Sequence, residues 1–343
     1  MRKLLNILFV TTQGAYLSKE GETVLVKVED DVRLQAPIHT LGGIVCFGQV
    51  SCSPFLMGFC AENNVAITFL TEYGRFLASV RGEVSGNVLL RREQYRRADD
   101  DAASVGLARV FLTGKLANCR TVLQRAARDH QEKVNASQLD NAAARIGYSI
   151  EQLRRQNDLD AMRGTEGEAA HSYFGVFDHL IVAQKDDFKF TERSRRPPLD
   201  KVNCLLSFLY TLLVHDMRSA LETVGLDPQV GFLHRDRSGR PGLALDMIEE
   251  LRPFLADRLA LSLINRGQVA KKGFDRFETG AVLMDDETRK TVLVSYQKRK
   301  QEEIMHPFIK EDAPIGLLFY LQALLFARYL RGDLDGYPVF IWK

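Results

Sequence analysis

The sequence predicts an α+β fold in two parts: a small β-rich domain over residues 1–92 and a larger all-α domain over residues 93–343. Three observations predict it. Short β-branched and aromatic runs bounded by Gly, Asn and charged turns fill the first ninety or so positions. Ala-, Leu- and Arg-rich stretches at helical spacing fill the rest. And 343 residues exceed the ~250–300 at which one hydrophobic core stops growing and a chain divides.

The elements follow in order. LNILFVTT reads as a first strand, because its apolar run is too short for a secretory h-region and no small-residue cleavage site follows. AYLSKEGETVLVKVE reads as a hairpin turning at Lys19–Glu22, and IVCFG, AITFLT and RFLASVRGEV as further strands. SPFLMGFCAENN is the one helix among them, capped by Ser51 or Ser53 and ended by Asn63 and Asn64. Helices then run through DDAASVGLARVFLTGKLANCRTVLQRAARDH and SQLDNAAARIGYSIEQLRRQ, the second with Ser137 as its cap. TEGEAAHSYFGVFDHLI opens on Thr165-x-x-Glu168, a capping-box pattern that puts Glu166 in a first helical turn, where the helix dipole favours a carboxylate. PPLDKVNCLLSFLYTLLVHDMRSALETVG starts on prolines and stops at Gly225. RPFLADRLALSLINRG, DDETRKTVLVSYQKRKQEEIMH and APIGLLFYLQALLFARYLRG complete the set. The last is broken by Gln322 and Arg328 and falls short of the roughly 18–20 apolar residues of a membrane span, so it reads as a buried helix.

Overall charge excludes little, since Lys and Arg exceed Asp and Glu by only 2. Locally, Arg91, Arg92, Arg96 and Arg97 cluster in LRREQYRRA, and Arg193, Arg195 and Arg196 in FTERSRRPP, a pattern that suits phosphate or a solvated face. The five cysteines have no C-x-x-C spacing, which indicates neither a zinc site nor a disulfide framework and fits the reducing cytoplasm. LGGIVCFG carries neither G-x-G-x-x-G nor G-K-[ST], so it is not read as a nucleotide loop.

The stretch that points to chemistry is GFLHRDRSGRPGLALDMIEELRP. Asp246 and Glu249 are three residues apart on a helix, and Leu243, Leu245, Ile248 and Leu251 around them favour burial. On an exposed face two carboxylates that close imply nothing; on a partly buried one they require a raised pKa or a cation between them. The flexible RDRSGRPG loop lets His234 turn back towards them. Oxygen donors with one imidazole suit magnesium or, better, manganese.

RGTEGEAAHSYF, RSRRPPLDKVNCLLSFLYTLL, VGFLHRDRSGRPGLALDMIEELRP and LINRG occur in the order and spacing of a known family. In them the chain resembles Cas1, the CRISPR-associated endonuclease and integrase family of spacer acquisition. The resemblance implies a β-sandwich-like N-terminal domain that dimerises, a helical catalytic domain, and an Mn2+ or Mg2+ ion held by Glu166, His234 and Glu249, with Asp246 as a supporting carboxylate. Many members carry Asp where this chain has Glu249. The implied reactions are phosphodiester hydrolysis and its transesterification counterpart, in which a DNA 3′-hydroxyl replaces water. His234 serves either as ligand or as proton shuttle. The implied partners are double-stranded DNA, a second copy of the chain, a small companion Cas2 bridging two dimers, and a helper nuclease that trims DNA. Arg163, Tyr173, Arg193, Arg195, Arg196, Lys201, Arg237 and Arg240 are the DNA-contact candidates, while Tyr173 and Asn203 suit equally a supporting role by hydrogen bonding and a structural role in helix packing.

Two rival readings have their own residues. His215-Asp216 with His179 would make an HD-type phosphohydrolase, although LLSFLYTLLVHDMRSAL reads as a core helix. A non-catalytic DNA-binding scaffold is the other, and it has no physical need to gather Glu166, His234 and Glu249.

Overall fold

The computed structural model describes residues 6–29, 31–72, 76–80, 82, 87–129, 132 and 134–342. They form two compact units. The first holds the described residues before Asn87 together with Met284–Glu302 and Pro314–Leu317, and the second holds the remainder.

The first unit carries β1 (Asn6–Val10), β2 (Tyr16–Glu20), β3 (Thr23–Val28), β4 (Asp31–Pro37), β5 (Leu41–Phe47), β6 (Ser51–Cys52), α1 (Pro54–Glu62), β7 (Ala66–Leu70) and β8 (Phe76–Val80). They make two four-stranded sheets, β1-β5-β7-β8 and β4-β3-β2-β6. In the first, β1, β5 and β7 are parallel and β8 is antiparallel. In the second, β2, β3 and β4 form an antiparallel meander and β6 joins β2 in parallel. Alternation explains the core. Leu17, Val24 and Val26 from one sheet and Ile44, Cys46 and Ile67 from the other bury into one cluster with Leu56, Phe59 and Cys60 of α1. The Ser53 side chain caps α1 by accepting from Leu56 N at 3.1 Å, while Ser51 lies in β6. The hairpin turns at Gly21, whose φ of +53 suits glycine.

The second unit is mostly helical: α2 (Val88–Asp99), α3 (Asp101–Asp129), α4 (Ala136–Leu153), α5 (Leu159–Gly175), α6 (Lys201–Thr223), α7 (Gly242–Ile248) and α8 (Arg258–Asn265), the last preceded by a π-helical turn at Arg252–Asp257. It is not all-α as expected. β9 (Phe274–Arg276) pairs with β10 (Val282–Met284), and, beyond α9 (Asp286–Gln301), β11 (Glu303–Met305) pairs with β12 (Asp312–Pro314) before α10 (Leu318–Leu330). Nor does a single cut after residue 92 describe the division. α2 already belongs to the second unit, and α9 belongs to the first, where its Gln297 side chain donates to the Ile7 carbonyl of β1 at 2.9 Å.

Two helix starts differ from expectation for the same reason. An Asp or Asn side chain upstream caps the helix first, so the expected cap residue falls inside it. Asn135, not Ser137, caps α4 through Gln138 N at 3.2 Å. Asp158 caps α5 through Ala161 N at 2.7 Å, so Thr165 and Glu168 lie inside the helix rather than in a capping box.

Candidate active site

α3 brings the first side chain. Its buried stripe runs through Ala108, Leu112, Leu116 and Cys119, and Lys115 lies on it with its side chain only 11% exposed. α5 brings the second. Because the helix starts at Leu159, Glu166 sits halfway along it rather than in the first turn, its side chain 28% exposed. The loop after α6 and the short α7 bring the rest.

Asp246, fully buried in α7, organises that loop. Its Oδ2 accepts the backbone N–H groups of Phe232 at 2.6 Å and Leu233 at 3.0 Å. Its Oδ1 lies 3.0 Å from the N–H of His234 and 2.6 Å from that residue's ring Nδ1. A carboxylate ringed by N–H donors takes protons and gives none, which places the ring proton on Nδ1 and the lone pair on Nε2. Nε2 has no partner among the described residues. Two glycines permit the approach. A Cβ on Gly231 would lie 2.6 Å from the carbonyl carbon of Gly242 and 2.9 Å from Asp246 Oδ2. A Cβ on Gly242 would lie 2.7 Å from the carbonyl oxygen of Gln229.

Glu249, just past α7 and 3% exposed, faces two cations. Arg252 Nη1 donates to its Oε1 at 2.6 Å. Lys115 Nζ lies 2.9 Å from its Oε2 but out of line, which leaves that buried oxygen without a hydrogen bond. Lys115 donates instead to Oε1 of Glu166. Burial alone would push the Glu249 carboxyl up, yet Arg252, Lys115 and then His234 outweigh it and hold the group at about 2. Burial alone would likewise depress the Lys115 ammonium, but Glu249 and Glu166 hold it above its ordinary range.

Behind these side chains lie two further buried carboxyls. Asp257 accepts from the hydroxyls of Tyr210 at 2.6 Å and Tyr173 at 3.0 Å, and burial pushes it up to about 6. Glu250 accepts from Tyr337 at 2.6 Å, from Gln322 at 3.0 Å and from the Phe340 amide, and burial pushes it up to about 7. Asn118, one turn beyond Lys115, donates to the carbonyls of Glu250 and Phe340 at 2.7 and 2.9 Å and accepts from Trp342 N at 2.8 Å. Residues 337–342 thereby lie tight against α3, where a Cβ on Gly114 would meet Val339 at 2.3 Å.

The structure sorts the sequence candidates. It joins His234 to Asp246 and, through Lys115, Glu166 to Glu249. Among the described residues no three His, Cys, Asp or Glu side chains are grouped as ready-made metal ligands, and that holds for His179, His215 and Asp216 as well. The donor set still fits a hard divalent cation. Glu166 and Glu249 already select a positive charge, one buried Glu249 oxygen lacks a hydrogen bond, and the His234 imidazole, near enough to act on Glu249 electrostatically, offers Nε2 as a donor atom.

The basic candidates divide by exposure. Arg195, Arg196 and Arg237 are exposed and Arg240 is half-buried. Tyr173 is buried with its hydroxyl on Asp257, so it packs rather than contacts DNA. Arg193 is turned inward, donating to Asn203 Oδ1 at 2.6 Å and Ser207 Oγ at 3.2 Å. Asn203 also accepts from Ser194 N at 3.0 Å and donates to the Glu192 carbonyl at 2.8 Å, so its bonds hold the segment that leads into α6 rather than the carboxylates or His234. Lys201 is tied to the Asp187 carbonyl at 2.8 Å. Arg163 donates to the Leu233 carbonyl at 2.6 Å and so steadies the His234 loop. Sequence reasoning missed Lys115 and Arg252. The one signal for Lys115 was a charge on an otherwise apolar helical stripe.

A sequence model described as CRISPR-associated protein Cas1 matches residues 8–298. The chain belongs to the Cas1 family. A CRISPR-associated endonuclease Cas1 of Chlorobaculum tepidum is 59% identical over 343 residues, with 100% of both chains covered. One from Rhodospirillum rubrum is 52% identical, again over 100% of both. A Cas4 exonuclease/Cas1 endonuclease fusion of Geobacter sulfurreducens is 33% identical over 98% of this chain and 60% of its own. Among solved structures the Cas1 fold recurs in a casposase bound to integration product, with a TM-score of 0.84 at 20% identity over 98% of this chain and 94% of that one. It recurs too in a Cas6-RT-Cas1–Cas2 complex, with a TM-score of 0.83 at 20% identity over 100% of this chain and 36% of that one.

Proposed function

We propose that the chain is a divalent-metal-dependent DNA endonuclease and integrase of CRISPR adaptation, which inserts short DNA spacers into a repeat array by attack of a 3′-hydroxyl on a phosphodiester. The observation that carries the reading is the pairing of two carboxylates around one cation, Glu166 and Glu249 about Lys115, beside an imidazole oriented by a buried aspartate. Full-length relatives named as Cas1 endonucleases support the activity, and the casposase–product likeness fits strand transfer.

Glu166, Glu249 and Nε2 of His234 would hold Mn2+ or Mg2+. The ion supplies Lewis-acid polarisation of the phosphodiester and stabilises the leaving oxygen. Asp246 keeps the His234 proton on Nδ1 and so keeps Nε2 in its acceptor form. Arg252 keeps Glu249 ionised in a buried place and fixes its Oε1. Arg195, Arg196, Arg237 and Arg240 are the side chains available to bind the phosphate backbone.

The proposed setting follows from the same family: a homodimer through the β-rich unit, a Cas2 companion bridging two dimers, and a trimming nuclease; a Cas2 is present in the structurally similar complex, and a Cas4 exonuclease is fused to one relative. Five cysteines, all free, suit the cytoplasm. Among the described residues no helix is long and apolar enough to cross a membrane.

The test is strand transfer of a short duplex into a supercoiled target, with Mn2+ or Mg2+ and with or without the companion. Glu166→Ala and His234→Ala should each abolish cleavage and transfer while circular dichroism and oligomeric state stay unchanged. Full activity in both variants overturns the reading, and loss on His215→Ala alone turns it towards an HD phosphohydrolase.

A further inference from the structure

We infer that Lys115 is a tethered counter-cation: it keeps the place between Glu166 and Glu249 in the metal-free protein and leaves it when a divalent ion takes those carboxylates. The inference rests on the metal-site reading above, and three observations carry it. Lys115 rises from the buried stripe of α3, so its ammonium has these two carboxylates in place of bulk water. It takes one oxygen from each, Oε1 of Glu166 and Oε2 of Glu249 at 2.9 Å, which is the set that an ion shared by the same pair needs. Its contact with Glu249 is an ion pair at 2.9 Å on Oε2, whereas Arg252 bonds the other Glu249 oxygen at 2.6 Å and can stay there. Another cation on Oε2 can therefore take over the charge that Lys115 supplies. Two cations cannot share that place, because their repulsion in a buried setting is far stronger than in water.

The arrangement explains how two acids and an imidazole stay folded without metal. A buried carboxylate stripped of its partner is strongly destabilising, and Lys115 removes that penalty in advance. The consequence is a lowered apparent metal affinity, since the ion binds only the fraction of molecules in which the ammonium has swung away.

Lys115→Met keeps an unbranched side chain, one atom shorter, and removes the charge. Mn2+ titration followed by the electron paramagnetic resonance signal of free ion should show a Kd lower than the parent's by about tenfold, the factor expected when a competent fraction near one tenth becomes dominant. The melting midpoint in EDTA should fall, and Mn2+ should raise it by more than it raises the parent's. A folded Lys115→Met protein whose Kd is unchanged or higher overturns the inference. If the variant does not fold, parent crystals with and without Mn2+ decide: Nζ should move off both carboxylates when anomalous density appears, and an ammonium still touching both beside a bound ion overturns it. Glu166→Gln separates the two levels. If it binds Mn2+ as tightly as the parent, the metal-site reading falls and this inference with it. If it weakens binding while Lys115→Met fails to tighten it, only the role of Lys115 falls.

Discussion

Asp246→Asn tests the geometry of the site most sharply. The carboxylate receives three backbone N–H groups and the His234 ring, and asparagine offers one oxygen in place of two. With that oxygen on the amides of Phe232 and Leu233, the new NH2 faces the amide and ring of His234. One bond survives by tautomer exchange, with Nδ1 accepting, and the other is lost. At ~1.5–3 kcal/mol for a bond to a charged group, plus the weakening of those that remain, the net loss is about 2–4 kcal/mol. For a unit of this size, at ~2–4 °C per kcal/mol, the melting midpoint should fall by roughly 4–16 °C. The larger effect is chemical. Exchange moves the ring proton to Nε2, the atom assigned to the metal, and disturbing such an orienting partner costs about 10–100-fold in affinity or activity. The assay is single-turnover strand transfer at a temperature well below the variant's midpoint, alongside Mn2+ titration. A variant with parental rate and parental Mn2+ affinity would refute the reasoning, and so would a rate loss that merely tracks the unfolded fraction.

Gly231→Ala should displace the His234 loop, because the added methyl would stand 2.6 Å from the Gly242 carbonyl carbon; transfer should drop to background while Gly239→Ala, with open space around its Cβ position but a φ of +75, loses only ~1 kcal/mol of stability by denaturant melt. Glu250 sets a pH dependence whose sign is fixed. Its carboxyl titrates near 4.5 when unfolded and at about 7 when folded, so the fold retains a proton that the unfolded chain has lost. That contribution is complete below pH 4.5 and is lost as pH rises through 7, about 3 kcal/mol in all, and Glu250→Gln should flatten this part of a stability-versus-pH curve. Glu249 works in the opposite sense and at lower pH, its contribution being lost as pH falls from 4.5 through about 2, so the two do not overlap between pH 5 and 8. Replacing both Arg195 and Arg196 with Ala should lower the salt slope of DNA binding by up to ~2 without changing the melt, whereas Arg193→Ala should lower the melt by ~1–3 kcal/mol through stranded partners on α6.

Much of the fold was legible because the deciding contacts are local. The hairpin at Lys19–Glu22, the Ser53 cap of α1 and the stop of α6 at Gly225 are each set by residues within a few positions. His234 and Asp246 were legible as a pair for a related reason: they are 12 positions apart across a loop with two glycines, Gly239 and Gly242. What stayed hidden was tertiary. Lys115 lies 51 residues from Glu166, and nothing local marks it as that residue's partner. Arg193 sits in a run of arginines that reads as exposed, and only the packing of Asn203 and Ser207 against it turns it inward. The start of α5 was misplaced because Asp158 and Thr165 are both competent caps, and Gly164 falls between them looking like a break. α9 has an ordinary helical signature that gives no hint that it belongs with the strands of the first unit.

The segment over residues 337–342 has a consequence for biosynthesis. The Phe340 amide reaches back 90 residues to Glu250, and its carbonyl reaches 222 residues to Asn118. At ~5–20 residues per second, a ribosome that has just added Glu250 needs roughly 5–20 s to deliver Phe340. Throughout that interval the Glu250 carboxyl and the Asn118 amide are without their partners, and the apolar flank of α3 around Gly114 is uncovered. The nascent chain therefore already carries Glu166, His234 and Glu249 while the packing that sets α3 in register against them is missing. Until residues 337–342 emerge and pack, that apolar flank of α3 faces water, so the bonds that tie α3 to Glu250 form late relative to the side chains they position.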